Sequence, residues 1–270
     1  MSDHLRRHLA PIVDAAWDEI DKEASRTLKH YLAGRKLVDF SGPHGWDHAA
    51  RTTGRTRSLG DGPVDGTAAR LREVHPLVEV RSAFTLSREE LDAVERGADD
   101  IDLDAVREAA RRAAMAEDGA IFHGWADAGI DGIGEAGARP PLDIREDYDE
   151  YPGTVARAVA ALQQDGIAGP FAIALGPRCW RGVVETTHHG GYPIFEHIRL
   201  ILGGPVVWAP AVDGAVVVSM RGDDFRLTVG EDFSIGYLDH DATTVSLYIE
   251  ESFTFEVLEP RAAVRLRYPA

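Results

Sequence analysis

The chain has 270 residues, 44% of them hydrophobic, which is enough for a sizeable core in one large domain or two small ones. Forty-five acidic residues against 29 basic leave a formal charge of -16, a field that repels phosphate and argues against broad binding to nucleic acid or anionic membrane. The single cysteine, Cys179, excludes an intrachain disulfide and a thiolate zinc cluster, and points to a reducing cytoplasm.

The start, Met1-Ser2-Asp3-His4, is polar and leads into an amphipathic segment, so no signal peptide is expected, and no apolar run is long enough for a membrane span. Residues 12–33 read as a helix. Val13, Trp17, Ile20, Ala24, Leu28 and Tyr31 recur at steps of three and four on one face, with Asp18, Glu19, Asp21, Lys22 and Arg26 opposite. Gly34 supplies the stop, and Lys36-Leu37-Val38-Asp39-Phe40 reads as extended before Gly42-Pro43 and Gly45. Residues 49–77 are rich in Thr, Gly, Arg and Asp with little apolar periodicity, as in a projecting loop or hairpin; residues 77–86 alternate and form its returning arm. Loops this long usually have a task, and gripping a neighbouring chain is one.

Ser87-Arg88-Glu89-Glu90 has the form of a capping box that opens a short helix, and a longer helix is expected over 104–122. A glycine-rich connector over 129–137 and Arg139-Pro140-Pro141 precede a helix around Val155, Val159 and Leu162, ended by Gly166. A strand over 171–175 and a helix over 193–202 follow. The last third is strand-rich: 206–208, 216–220, 225–229, 245–249, 253–257 and 264–266, separated by turn signals such as Gly222-Asp223-Asp224 and Asp239-His240-Asp241. The fold class is α+β, with no internal repeat.

Motifs for chemistry are scarce. Gly132-Ile133-Gly134-Glu135-Ala136-Gly137 matches G-x-G-x-x-G, but it follows a helix and runs into Arg139-Pro140-Pro141, so a flexible linker is expected rather than a dinucleotide turn. His188-His189 lacks the i, i+4 spacing of a helical metal pair, and a solvated loop is expected. There is no G-x-S-x-G elbow and no Walker loop, Cys179 reads as structural, and Glu250-Glu251 and Asp223-Asp224 read as solvated turns or edges. No metal or cofactor is expected. A chain this size without a catalytic constellation suggests a structural or binding role.

Six ordered blocks carry a resemblance. They include Ala16-Trp17 with Glu19-Ile20, Gly34-Arg35-Lys36-Leu37-Val38-Asp39 with Gly42-Pro43-His44-Gly45-Trp46, and Asp118-Gly119-Ala120-Ile121-Phe122-His123-Gly124. Gly166-Ile167-Ala168-Gly169-Pro170, Gly230-Glu231-Asp232-Phe233-Ser234-Ile235-Gly236-Tyr237 and Glu251-Ser252-Phe253-Thr254-Phe255 complete them. With these the chain resembles the type 1 encapsulin shell proteins, also called linocin-like bacteriocins.

The resemblance implies a tailed-phage major-capsid fold. It divides the chain into an N-terminal helix and cargo-facing arm over 1–48, an extended loop over 49–86, a peripheral domain with a spine helix over 87–136 and 222–270, and an axial domain over 137–221. It implies a cytoplasmic nanocompartment, an icosahedral homo-oligomer of about sixty copies or a multiple, without catalytic activity. Such a shell encloses cargo, a dye-decolourising peroxidase or a ferritin-like protein, through the cargo's C-terminal targeting peptide. Mapped onto matching positions, the cargo-peptide site would be Arg35, Leu37, Val38, Asp39, Asp232, Ile235 and Tyr237. The fivefold pore would be lined by Glu185, Thr186, Thr187, His188, His189, Gly190, Gly191 and Tyr192. Glu89 stands where relatives can carry an aromatic residue, so no flavin is carried over. A phage capsid protein, or a peptidase or bacteriocin as relatives have been labelled, are the alternatives.

Overall fold

A computed structural model of the chain describes residues 4–145, 147–187 and 191–269. Helix α1 spans Asp14–Tyr31 and buries Trp17, Ile20, Ala24 and Leu28 from the stripe read in the sequence. Val13 is the residue before the helix and is exposed. A single 3-10 turn, Gly34–Lys36, then delivers the short strand β1 (Asp39–Ser41), so only the end of the expected extended stretch is strand.

The segment expected to project is a two-stranded antiparallel hairpin, β2 (Ala50–Asp61) and β3 (Ala68–Pro76), paired from Ala50 opposite Pro76 to Asp61 opposite Ala68. Most of its residues are exposed, so it has no core of its own. The hairpin's return is therefore β3 and not the expected 77–86 stretch, which forms strand β4 (Val78–Ser87): its burial alternates with Phe84 and Leu86 inward, so it pairs along residues 244–253 in the body of the protein. Helix α2 (Arg88–Glu95) begins at Ser87, but the Ser87 side chain makes no capping bond; the Arg88 N–H is bound instead by the Thr243 carbonyl at 2.9 Å. The long helix α3 (Asp104–His123) is about 30 Å long at ~1.5 Å per residue.

The second half contains β5 (Leu142–Asp143), α4 (Tyr151–Gln164), β6 (Phe171–Leu175), α5 (Pro177–Glu185), α6 (Ile194–Leu202), β7 (Val206–Trp208) and β8 (Ala215–Ser219). It closes with β9 (Phe225–Val229), β10 (Ser234–His240), β11 (Thr244–Val257) and β12 (Ala263–Arg267). Helix α5 is absent from the sequence reading. Pro177 signals a break, yet a proline is tolerated in a first helical turn, and only Cys179 and Val183 supply an apolar stripe.

Two sheets organise these strands. In the first, β9 lies between β1, which is parallel to it, and β11; β11 also pairs antiparallel with β10 and β4. Strand β11 is fourteen residues long and continuous where the sequence suggests two strands and a break. The polar run Glu250-Glu251-Ser252 reads as a solvated edge, but Glu250 and Glu251 are 1% and 2% exposed. That reading fails because cations reach both carboxylates from other elements. The second sheet runs β5-β12-β8-β6-β7, with β12 antiparallel to β8 and parallel to β5. The chain's last strand therefore joins the sheet built from residues 142–219, because Val264 and Leu266 complete that sheet's core face.

Two apolar clusters result. One joins α1, α3, β4 and β10 with Val245, Leu247 and Ile249 of β11; the other joins the second sheet and its helices with Phe253 and Phe255. Strand β11 thus belongs to both, and its two glutamates lie between them.

The glycines of 132–137 are not a flexible linker. The Ile133 and Gly134 N–H groups bind the Ile121 and Phe122 carbonyls at 2.8 and 2.9 Å, which satisfies the last turn of α3. A Cβ on Gly132 would lie 2.1 Å from the Gly124 nitrogen, so close packing against the helix end explains the small residue.

Candidate functional site

The block after α1 is held by the long helix. Asp118 of α3 accepts the Ala33 and Gly34 N–H groups at 2.8 and 2.9 Å, tying the end of α1 to the spine. Gly34 is required there, since a Cβ would lie 2.6 Å from Ile121 Cδ1. Burial pushes the Asp118 carboxyl up to about 7, against the lowering effect of the two N–H donors.

This anchoring places Arg35 among three carboxylates. Its guanidinium bonds Glu117 at 2.7–3.0 Å, Asp232 at 2.8 Å and, closer still, Glu251. Glu117 and Glu251 are all but fully buried. Desolvation opposes the Arg35 charge, yet hydrogen bonding and attraction from the carboxylates hold its pKa above the ordinary value. Burial first, and then the neighbouring negative charge of Glu117, push Glu251 well above the carboxylate range. One guanidinium against three acids therefore favours a proton retained on Glu251. The Arg35 plane also lies 4.8 Å from the Phe233 ring and 5.1 Å from Phe40.

Beside this network, α1 and β10 enclose a groove of about 420 Å³. Leu28, Leu32, Ile235 and Ile249 line its apolar part, and Phe233, Ser25 and Lys29 also face it. Its charged rim is Arg7 paired with Asp21 at 2.7 Å, and Arg35 paired with Asp232. The N-terminal segment closes one end: Leu5 lines the groove, its carbonyl accepts the Tyr237 N–H at 2.8 Å, and Arg7 stacks on Trp17. Strand β10 is the sheet's edge, with β11 on one side.

Of the residues singled out in the sequence, Arg35, Asp232 and Ile235 line this groove. Leu37 and Val38 pack instead in the cluster built on the second sheet. Asp39 accepts the Asp223 N–H at 2.6 Å and holds the turn before β9. Tyr237 lies farther along β10, its hydroxyl 2.5 Å from His240 Nδ1. Leu28 was legible as part of the helix stripe and Phe233 within a family block, whereas Glu117 and Leu32 carried no signal of a shared site. Their meeting depends on α1 crossing α3 and β10.

The expected pore segment starts at Glu185, the last residue of α5. Thr186 Oγ1 donates to the Gly182 carbonyl at 2.7 Å, Thr187 bridges to Pro193, and the Tyr192 ring lies against His197. His188, His189 and Gly190 lie outside the described residues. Cys179 is buried with its Sγ 3.1 Å from the Tyr268 hydroxyl, which is itself 2.5 Å from that of Tyr148. Among the described residues, no three His, Cys, Asp or Glu side chains converge as a metal site, and no helix is long and apolar enough to cross a membrane.

Comparisons with known proteins agree with one another. The family described as "Encapsulating protein for peroxidase" matches residues 1–254. The type 1 encapsulin shell protein of Rhodospirillum rubrum is 53% identical over 97% of this chain and 96% of its own length. That of Mycobacterium tuberculosis is 44% identical over 98% and 99%. A virus-like particle from Pyrococcus furiosus has the same fold at 13% identity, with a TM-score of 0.62 over 93% of this chain and 99% of its own. So does a protein of Gordonia phage Cozz, at 14% identity and a TM-score of 0.56 over 89% and 87%. The fold is that of tailed-phage capsids.

Proposed function

Because the chain belongs to the family of type 1 encapsulin shell proteins, we propose that its copies close into an icosahedral shell in the cytoplasm and retain a cargo enzyme by that enzyme's C-terminal peptide. The chain itself carries out no reaction. The shell is of about sixty copies or a multiple, the closed point-group assembly such subunits favour.

The observation that carries cargo docking is the groove between α1 and β10. It combines the apolar residues Leu28, Leu32, Ile235 and Ile249 with a charged rim beside a sheet edge. That is the chemistry of an extended peptide: main-chain pairing at an edge strand, with alternate apolar side chains placed in pockets. Arg35 supports this site as a wall rather than as a free hand, since its donors are already committed to Glu117, Asp232 and Glu251. A peroxidase agrees with the family's description; a ferritin-like cargo is the other expectation. In the shell, the segment from Glu185 to Tyr192 is assigned to the fivefold pore.

Negative-stain microscopy of the purified protein tests the shell: uniform hollow particles support it, and a small monomer with turnover overturns it. For the groove, a fluorescent protein bearing the cargo's C-terminal peptide is co-expressed with the shell. Ser25→Trp fills the groove without entering a core, and Ile235→Asp places a charge on its wall. Both are expected to give empty particles. Full loading by both variants would remove the groove as the docking site.

A further inference from the structure

The hairpin of β2 and β3 is basic in an acidic protein. Residues 50–76 contain five arginines and three acids, whereas the whole chain carries a formal charge of -16. Its root is tied to the body: Arg51 and His75 both meet the buried Glu256 of β11, His75 at 3.1 Å. The distal arginines are different. Arg55, Arg57, Arg70 and Arg72 are exposed and form no ion pair among the described residues. Arg55, Arg57 and Arg72 line a cleft of about 780 Å³ between the hairpin and the end of β11, where the apolar Leu71, Phe255 and Leu258 also face, with Glu73 and Asp131 as its other acids.

A surface of opposite sign exists on the same chain. Residues 87–104 carry eight acids against Arg88 and Arg96. Glu89, Asp92, Glu95, Asp99 and Asp100 are exposed and without an ion pair among the described residues. The two surfaces sit at opposite ends of β4: the hairpin enters at Val78 and the acidic shoulder starts at Ser87. Ten residues of strand separate them by about 30 Å at ~3.3 Å per residue. They therefore face different neighbours rather than each other.

We infer that the cleft under the hairpin receives the acidic shoulder, residues 89–100, of a second copy of this chain. This rests on the shell reading and names the surface that the hairpin grips. Charge complementarity of this kind sets register and suppresses wrong pairings, and its strength falls as salt screens the exposed charges. A nucleic acid would also match the arginines, but the acidic remainder of the chain repels it.

The test is a charge swap read by particle size. Arg55→Glu/Arg57→Glu/Arg72→Glu is expected to lower the assembled fraction at low salt about tenfold or more, as is Glu95→Lys/Asp99→Lys/Asp100→Lys. Combining the two sets in one chain restores assembly. Circular dichroism checks folding, and the milder Arg55→Gln/Arg57→Gln/Arg72→Gln, expected to weaken assembly without reversing charge, stands in if the reversed hairpin does not fold. The inference is overturned if the hairpin variants assemble like the wild type at low and high salt, or if the combined variant folds but does not recover. It is also overturned, in favour of nucleic acid, if nuclease treatment disperses wild-type particles. A wild type that forms no particles at all would instead sink the shell reading, and this inference with it.

Discussion

Arg35 and Glu117 form a two-point contact, Nε and Nη2 both donating to Glu117 Oε2 at 2.8 and 2.7 Å, which joins the turn after α1 to α3, while Glu251 of β11 meets the same guanidinium. A guanidinium so enclosed keeps buried acid groups, Glu117 and the raised-pKa Glu251, from standing without a partner.

Arg35→Ala is therefore expected to destabilise the protomer by about 3–5 kcal/mol, the cost of leaving buried charge unpaired. Arg35→Met combined with Glu117→Gln and Glu251→Gln is expected to lose less than Arg35→Ala alone. Thermal unfolding followed by circular dichroism ranks the variants. Equal losses would show that packing, not charge, dominates.

Gly34→Ala is expected to cost about 1–3 kcal/mol, because the new methyl overpacks against Ile121 Cδ1 at 2.6 Å. Ile121→Val removes that atom and alone costs about 0.5–1.5 kcal/mol. The double variant is expected to be more stable than the sum of the two losses allows, which a double-mutant cycle in urea measures.

Asp118 gives stability a pH dependence. Its folded pKa, raised to about 7 from an ordinary 3.8, means the folded state holds a proton that the unfolded state releases. The contribution is fully present below pH 3.8 and is lost as pH rises to about 7. Asp118→Asn is expected to flatten that part of the profile, read as urea midpoints across the range. An unchanged slope would assign the dependence to other groups.

Cys179 is expected to be unreactive in the folded protein. Burial raises its thiol pKa and the side chain is enclosed by aromatic residues, so little thiolate is present or accessible. A chromogenic disulfide reagent should report no free thiol until denaturant is added. Prompt reaction in buffer would place Cys179 at an opening.

The elements themselves were largely legible. The three-four spacing of Trp17, Ile20, Ala24 and Leu28 marks α1, the continuous apolar run Phe171 to Leu175 marks β6, and the lack of periodicity over 49–77 marks the hairpin. Where a local signal misled, a distant partner explains why. The glycines of 132–134 looked like a linker but cap α3.

Sequence alone determined the fold class, the family and the segments that build the groove, because periodicity and ordered motif blocks are properties of the chain read linearly. Only the tertiary structure decided which of those residues share a wall. Leu37, two positions after Arg35, turns into the second cluster, while Glu117 and Glu251, 82 and 216 positions away, meet its guanidinium. Whether Glu250-Glu251 lies in water or between two cores likewise depends on Arg35 and Arg81 arriving from other elements. Burial of a charge is decided by the partner that folding brings to it, and no local pattern encodes that partner.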